Sequence, residues 1–317
     1  MEHFIYSINI TLPVFLVIVI GYLLKRIGML DNNFVDKANK FNFTVTLPAL
    51  LFKDLSTINF SEQFHPDFVL FCMISTSVCF WLIWGGAKLF LKDKRMRSAF
   101  VQGSFRSSAA VLGIAFIQNL CGDSGMGPMM IVSTVPLYNI YSVLVLTLEA
   151  DNGGQKIDLA QKMKDACVNI IKNPIILGIL AGTLVSLLHI QFPVVINKTV
   201  GTLSSMATPL ALIAIGAGFE IGDAWQKVKP ALAATFIKLV AQTAVFLPVI
   251  LILGFDRAEI VACLIMLSAP TTPSCYIMAK NMGSDDVLTS GIIVLATLFS
   301  AVTMTGWIFL LRSMGVI

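Results

Sequence analysis

Apolar residues run along this chain in blocks of about twenty, separated by short polar clusters. A helix needs about 20 apolar residues to cross roughly 30 Å of hydrocarbon. The blocks predict ten spans, over residues 4–25, 36–55, 67–91, 98–120, 127–149, 173–190, 197–219, 230–253, 258–281 and 287–312. The alternating ten-residue segments of a transmembrane barrel are absent. The expected class is therefore an all-α integral membrane protein.

Within the blocks, prolines and glycines recur at a fixed offset. Pro13 and Pro174 are 161 positions apart (174 − 13), as are Leu16 and Leu177, Gly21 and Gly182, and Lys37 and Lys198. The same offset relates Pro48 to Pro209, Leu51 to Leu212 and Gly122 to Gly283. It maps spans one, two and four onto six, seven and nine. Five spans per half force the second half to enter the membrane the other way up, as in the inverted repeats of many secondary transporters. The predicted divisions are residues 1–149, a cytoplasmic connector over 150–172 containing "ADNGG", and residues 173–317.

Composition agrees with this pattern. The 317 residues are 56% hydrophobic and only 13% charged, against about 25% charged in soluble domains. Of the Lys and Arg residues, 16 fall in loops on one side of the predicted spans and four (Lys53, Lys198, Arg257 and Arg312) on the other. The basic side is expected to be cytoplasmic, which places both termini outside. The start of the chain, with Glu2 and His3 before a run reaching Leu24, does not read as a signal peptide. The six cysteines show no CxxC spacing, so no metal site or disulfide framework is expected. No Walker, HExxH or Ser-His-Asp pattern appears, so neither an enzyme nor ATP-driven pumping is expected. The net charge of +4 is accounted for by the loops, and no nucleic-acid partner is inferred.

Spans four and nine carry the candidate chemistry. Span nine contains "LSAPTTPS", where Pro270 and Pro273 forbid one continuous helix. Its counterpart, span four, contains "SFRSSAAVLGIAF" with Arg106 and Gly113. Irregular backbone at membrane depth survives only where protein or a water-filled cavity satisfies it. Two such breaks at equivalent positions predict a midplane site whose half-helix N-termini favour an anion. Kinked helices packed by neighbours are the plainer alternative. Arg106 and Lys238 lie deep in spans four and eight, where charges are costly and usually functional. No Asp or Glu is expected at comparable depth, the nearest being Asp123, Glu220 and Asp223. Lys238 could instead snorkel to the cytoplasmic interface, and Arg106 could bind carbonyls of the broken partner helix. Asn42 and Thr46 share one face of span two, while Tyr138 and Asn139 follow Pro136 in span five. These four are cavity candidates or, more plainly, interhelical glue.

The stretches "GYLLKRIGMLD" (21–31), "LPALLF" (47–52), "GSFRSS" (103–108), "VPLYNIYSVLVL" (135–146) and "LSAPTTPS" (267–274) resemble the auxin efflux carrier family. Its bacterial members described as malate or malonate permeases are the nearest in pattern. The resemblance covers essentially the whole chain. It implies ten helices in two inverted five-helix repeats, with broken helices four and nine crossing beside the substrate. It also implies an elevator-like motion and a homodimer. Two positions depart from the pattern: Ser108 stands where relatives often have Asn, and Ala115 where many have Pro.

The expected function is a secondary carrier of a small organic anion, such as the dicarboxylates malate and malonate, in the cell membrane. An auxin-like aromatic monocarboxylate is the alternative substrate, and a membrane receptor using the same pocket is the alternative role. Backbone amides with Ser107, Ser108, Thr271, Thr272 and Ser274 would bind carboxylates, and Arg106 would supply positive potential. Asn42, Thr46, Tyr138 and Asn139 would line the cavity, and Pro270 and Pro273 would hold the break. No cofactor is expected. Coupling to protons, to sodium or to neither stays open at this level.

Overall fold

A computed structural model describes residues 2–58, 65–109, 113–122, 125–150 and 159–317. Among these residues every regular element is helical. Residues 151–158 of the expected connector, including most of "ADNGG", lie outside the described residues, as does Asp123.

Helix covers most of the described part of each expected span, with spans four and nine interrupted. The first is α1 (Glu2–Arg26), and the second runs through α2 (Asn32–Phe41), a π-helical turn (Asn42–Thr46) and α3 (Leu47–Ser56). Next come α4 (Pro66–Phe90), the pair α5 (Lys94–Phe105) and α6 (Ile114–Cys121), and α7 (Gly127–Leu148). The amphipathic α8 (Leu159–Lys172) precedes α9 (Pro174–Leu187), and then α10 (Val194–Ser205) meets α11 (Ala207–Ala217). A short α12 (Ile221–Gln226) leads to α13 (Val228–Phe236), a second π turn (Ile237–Ala241) and α14 (Gln242–Ile252). The chain closes with α15 (Arg257–Ser268), α16 (Ser274–Asn281) and α17 (Asp286–Ser313).

Five of the described helices are each long and apolar enough to cross a membrane: Pro66–Phe90, Gly127–Leu148, Val194–Ala217, Val228–Ile252 and Asp286–Ser313. The pair Met163–Lys172 and Pro174–Leu187, bent by 57°, makes a sixth if taken as one span. The halves of the broken spans, 8 to 12 residues each, are too short to cross alone.

Local chemistry sets the helix starts. Asp31 accepts from the Phe34 amide at 2.7 Å to begin α2, and Asn173 caps α9 with Pro174 in its first turn. Asp256 and Glu259 form a reciprocal capping box on α15.

Small residues set the packing. α1 lies along α11 and α3 along α9. Gly21 abuts the Ile213 carbonyl so closely that any Cβ would overlap it. A Cβ on Gly182 would sit 2.6 Å from the Phe52 carbonyl oxygen. Gly21 and Gly182, and likewise Phe52 and Ile213, stand at the 161-residue offset found in the sequence (182 − 21; 213 − 52). One close approach is therefore the image of the other. Backbones meeting at glycine maximise van der Waals contact where no aqueous driving force pulls helices together.

Candidate functional site

The two broken spans meet at their breaks. α5 ends at Phe105, and Arg106, Ser107 and Ser108 continue without helical structure. α15 ends at Ser268, and residues 269–273 intervene before α16. Ser108 donates its amide to the Pro270 carbonyl at 2.9 Å. Thr271 Oγ1 donates to the Gly103 carbonyl at 2.6 Å, and Ser107 Oγ to the Ala269 carbonyl at 3.4 Å. Each break thus supplies partners for carbonyls that the other's helix end leaves without one, as helix termini at membrane depth require.

A third element completes this accounting. The π turn beginning at Ile237 brings Lys238 into the bundle, where it is 0% exposed. Its Nζ donates to the Leu267 carbonyl at 2.9 Å and the Met266 carbonyl at 3.3 Å, in the last turn of α15. It also donates to Gln242 Oε1 at 3.3 Å. Gln242 Nε2 in turn donates to the Ser104 carbonyl, at the end of α5, at 2.9 Å. Snorkelling is therefore not what Lys238 does. A cation at the negative end of one half-helix, linked to an amide at the end of the other, ties both C-termini together.

Arg106 faces the other way. It is 3% exposed. One guanidinium nitrogen donates to Ser142 Oγ (3.2 Å) and Met278 Sδ (2.8 Å), the other to Asn139 Oδ1 (3.3 Å) and Ser274 Oγ (2.9 Å). Every one of these acceptors is neutral, and Nε has no partner among the described residues. Asn139 is held by its own amide, which donates to the Val135 carbonyl at 2.8 Å. Tyr138 packs edge-on to Phe105 at 5.8 Å between centroids.

A cavity of about 50 Å³ opens at this point. The expected residues Arg106, Ser107, Ser108, Tyr138, Asn139, Thr272, Pro273 and Ser274 all line it. The first turn of α16, with its positive dipole end, begins there. Four expected residues stand away from the lining. Pro270 and Thr271 are used in joining the two breaks. Asn42 donates its side-chain amide to the Ala207 carbonyl at 2.9 Å, across to α11, and Thr46 Oγ1 bonds the Asn42 side chain. This second pair is the glue of the π turn in span two.

The structure also corrects the expectation of a cavity without acids. Asp54, half-buried on α3, lines it beside Leu47, Leu50 and Leu51. These four positions follow helical spacing, so one face of α3 forms one wall. Gln242, Ser142 and Met278 were likewise not expected. Gln242 was detectable as the i+4 partner of Lys238; nothing in the sequence alone pairs Ser142 or Met278 with Arg106.

Residues 6–308 match the family described as membrane transport protein. The chain is 25% identical over 313 residues to a Rhizobium meliloti (strain 1021) protein named "Putative malonate transporter", covering 96% of each chain. It is 22% identical over 308 residues to an "Uncharacterized transporter" of Methanothermobacter thermautotrophicus, covering 96% of this chain and 98% of that one.

Proposed function

The chain belongs to the membrane transport protein family, the auxin efflux carrier family that its motifs resemble, and from that premise we propose that it is a secondary carrier of small dicarboxylates. It is a multi-pass membrane transporter and not an enzyme. The observation that carries the substrate class is Arg106: a buried guanidinium whose four acceptors are all neutral, at the edge of a cavity beside a half-helix N-terminus. A carboxylate is the group that such a charge, hydroxyls and an amide would recognise. The relative named for malonate supports a dicarboxylate over an aromatic monocarboxylate.

The finer architecture belongs to the same proposal. Ten crossings form two inverted five-helix repeats, residues 1–149 and 173–317, joined by the connector over 150–172. The paired close approaches of Gly21 to Ile213 and Gly182 to Phe52 support this, because one sequence offset relates them. The charge asymmetry of the loops supports a cell-membrane carrier with both termini outside. The family resemblance supports a homodimer.

The cavity supports alternating access. Pockets that hold organic ligands run to about 300–1,000 Å³, whereas about 50 Å³ takes a few waters. Substrate then reaches Arg106 only when the wall formed by α3 and the crossing of the two breaks separate, as they would in an elevator-like movement.

Binding to purified protein tests the substrate class. A panel of malonate, malate, acetate and an indole carboxylate is compared by thermal shift, with Arg106→Ala alongside. Malonate or malate should raise the melting temperature of the unaltered chain and leave Arg106→Ala unmoved. A shift by the indole acid alone, or an equal shift in Arg106→Ala, would contradict the assignment.

A further inference from the structure

We propose that Asp54 is a proton-binding site whose protonation raises the affinity for the anion and so makes transport respond to pH. The inference rests on the carrier reading above and deepens it. Asp54 is the one acidic residue lining the cavity among the described residues, and it shares that cavity with Arg106. No ion pair joins the two. Seven residues separate Asp54 from Leu47 on the same face of α3, about 10 Å along the axis. The carboxylate thus stands towards one end of the cavity, away from the Leu47 end of the wall.

The groups around it are few. Its own helix brings Lys53, which is exposed and extends towards Gly201 on α10. α10 brings Lys198, also exposed. α9, α11 and the π turn Asn42–Thr46 carry no titratable side chain. Arg106 and Tyr138 line the same cavity. A dianion arriving at Arg106 therefore meets one fixed carboxylate in a confined, weakly screened space. Like charges there disfavour each other's ionised forms. Anion binding must raise the proton affinity of Asp54, and protonation of Asp54 must raise the affinity for the anion by the same factor.

Two measurements with radiolabelled or plain malonate test this, on the unaltered chain, Asp54→Asn and Asp54→Glu. In the first, malonate is added to purified protein in weak buffer containing a pH dye. The unaltered chain and Asp54→Glu should take up protons on binding, and Asp54→Asn should not. In the second, proteoliposomes are given an acidic exterior. Malonate uptake, scaled to each variant's own rate without a gradient, should rise in the unaltered chain and Asp54→Glu and lose that response in Asp54→Asn. Equal proton uptake or an equal acid response in Asp54→Asn overturns the inference while leaving the carrier reading intact. So does malonate transport by the unaltered chain that ignores the gradient. If the unaltered chain neither binds nor moves any dicarboxylate, the carrier reading fails and this inference fails with it.

Discussion

Arg106 holds a charge that no described carboxylate neutralises within ion-pair distance, and its surroundings show how that is tolerated. Four neutral acceptors spread its donors over α7 and α16. Asn139 and Ser274 are the acceptors that also line the cavity, and of the two Asn139 is proposed both to aim the guanidinium and to meet the ligand. Replacing it by leucine removes a hydrogen bond to a charged group, about 1.5–3 kcal/mol. Asn139→Leu should raise the KM for dicarboxylate uptake at least tenfold, and uptake kinetics in vesicles would check it. Arg106 was legible in the sequence because a charge deep in an apolar run is conspicuous. Asp54 was not, because depth counted along the chain places it at the end of a span. Only the cavity that α3 lines together with the breaks shows that it reaches that end.

At the scale of elements, the breaks were legible and the means of holding them were not. Pro270 and Pro273 announce one break, and the 161-residue offset transfers it to span four, where no proline stands. The two π turns had no such marker. Each nevertheless involves a polar i, i+4 pair, Asn42 with Thr46 and Lys238 with Gln242, and each pair bonds a neighbouring segment. Gln242→Leu gives a cleaner test of this tie than a change at Lys238, since removing a buried cation also relieves its desolvation. The variant leaves the Ser104 carbonyl without its donor, at about 1–3 kcal/mol. Thermal unfolding in detergent should show a lower midpoint. The glycine contacts allow a second test. Gly182→Ala drives a methyl into the Phe52 backbone and should cost about 1–3 kcal/mol. Gly291→Ala, whose Cβ would meet nothing nearer than the Ala231 methyl at 3.7 Å, should leave the midpoint within about 0.5 kcal/mol of the original.

For the whole molecule, the distribution of Lys and Arg and the 161-residue offset are the grounds for the proposed arrangement, a carrier whose two halves enter the membrane in opposite senses. That orientation predicts that epitope tags at residues 1 and 317 are both cut by protease added outside intact spheroplasts. A tag cut only after lysis would reverse the assignment. The membrane class and the family were legible because apolar run length and motif order are properties of the chain itself. The small cavity and its wall on α3 were not, since they arise from residues more than fifty positions apart in the chain, such as Asp54 and Arg106. The central claim is that the meeting point of the breaks binds and carries a dicarboxylate through Arg106. Counterflow tests it most directly, because exchange needs no knowledge of the coupling ion. Vesicles loaded with unlabelled malonate and diluted into labelled malonate should fill transiently with label when they contain the unaltered chain. They should stay empty when they contain correctly inserted Arg106→Ala. Equal filling by both proteins, or by neither, would contradict the account.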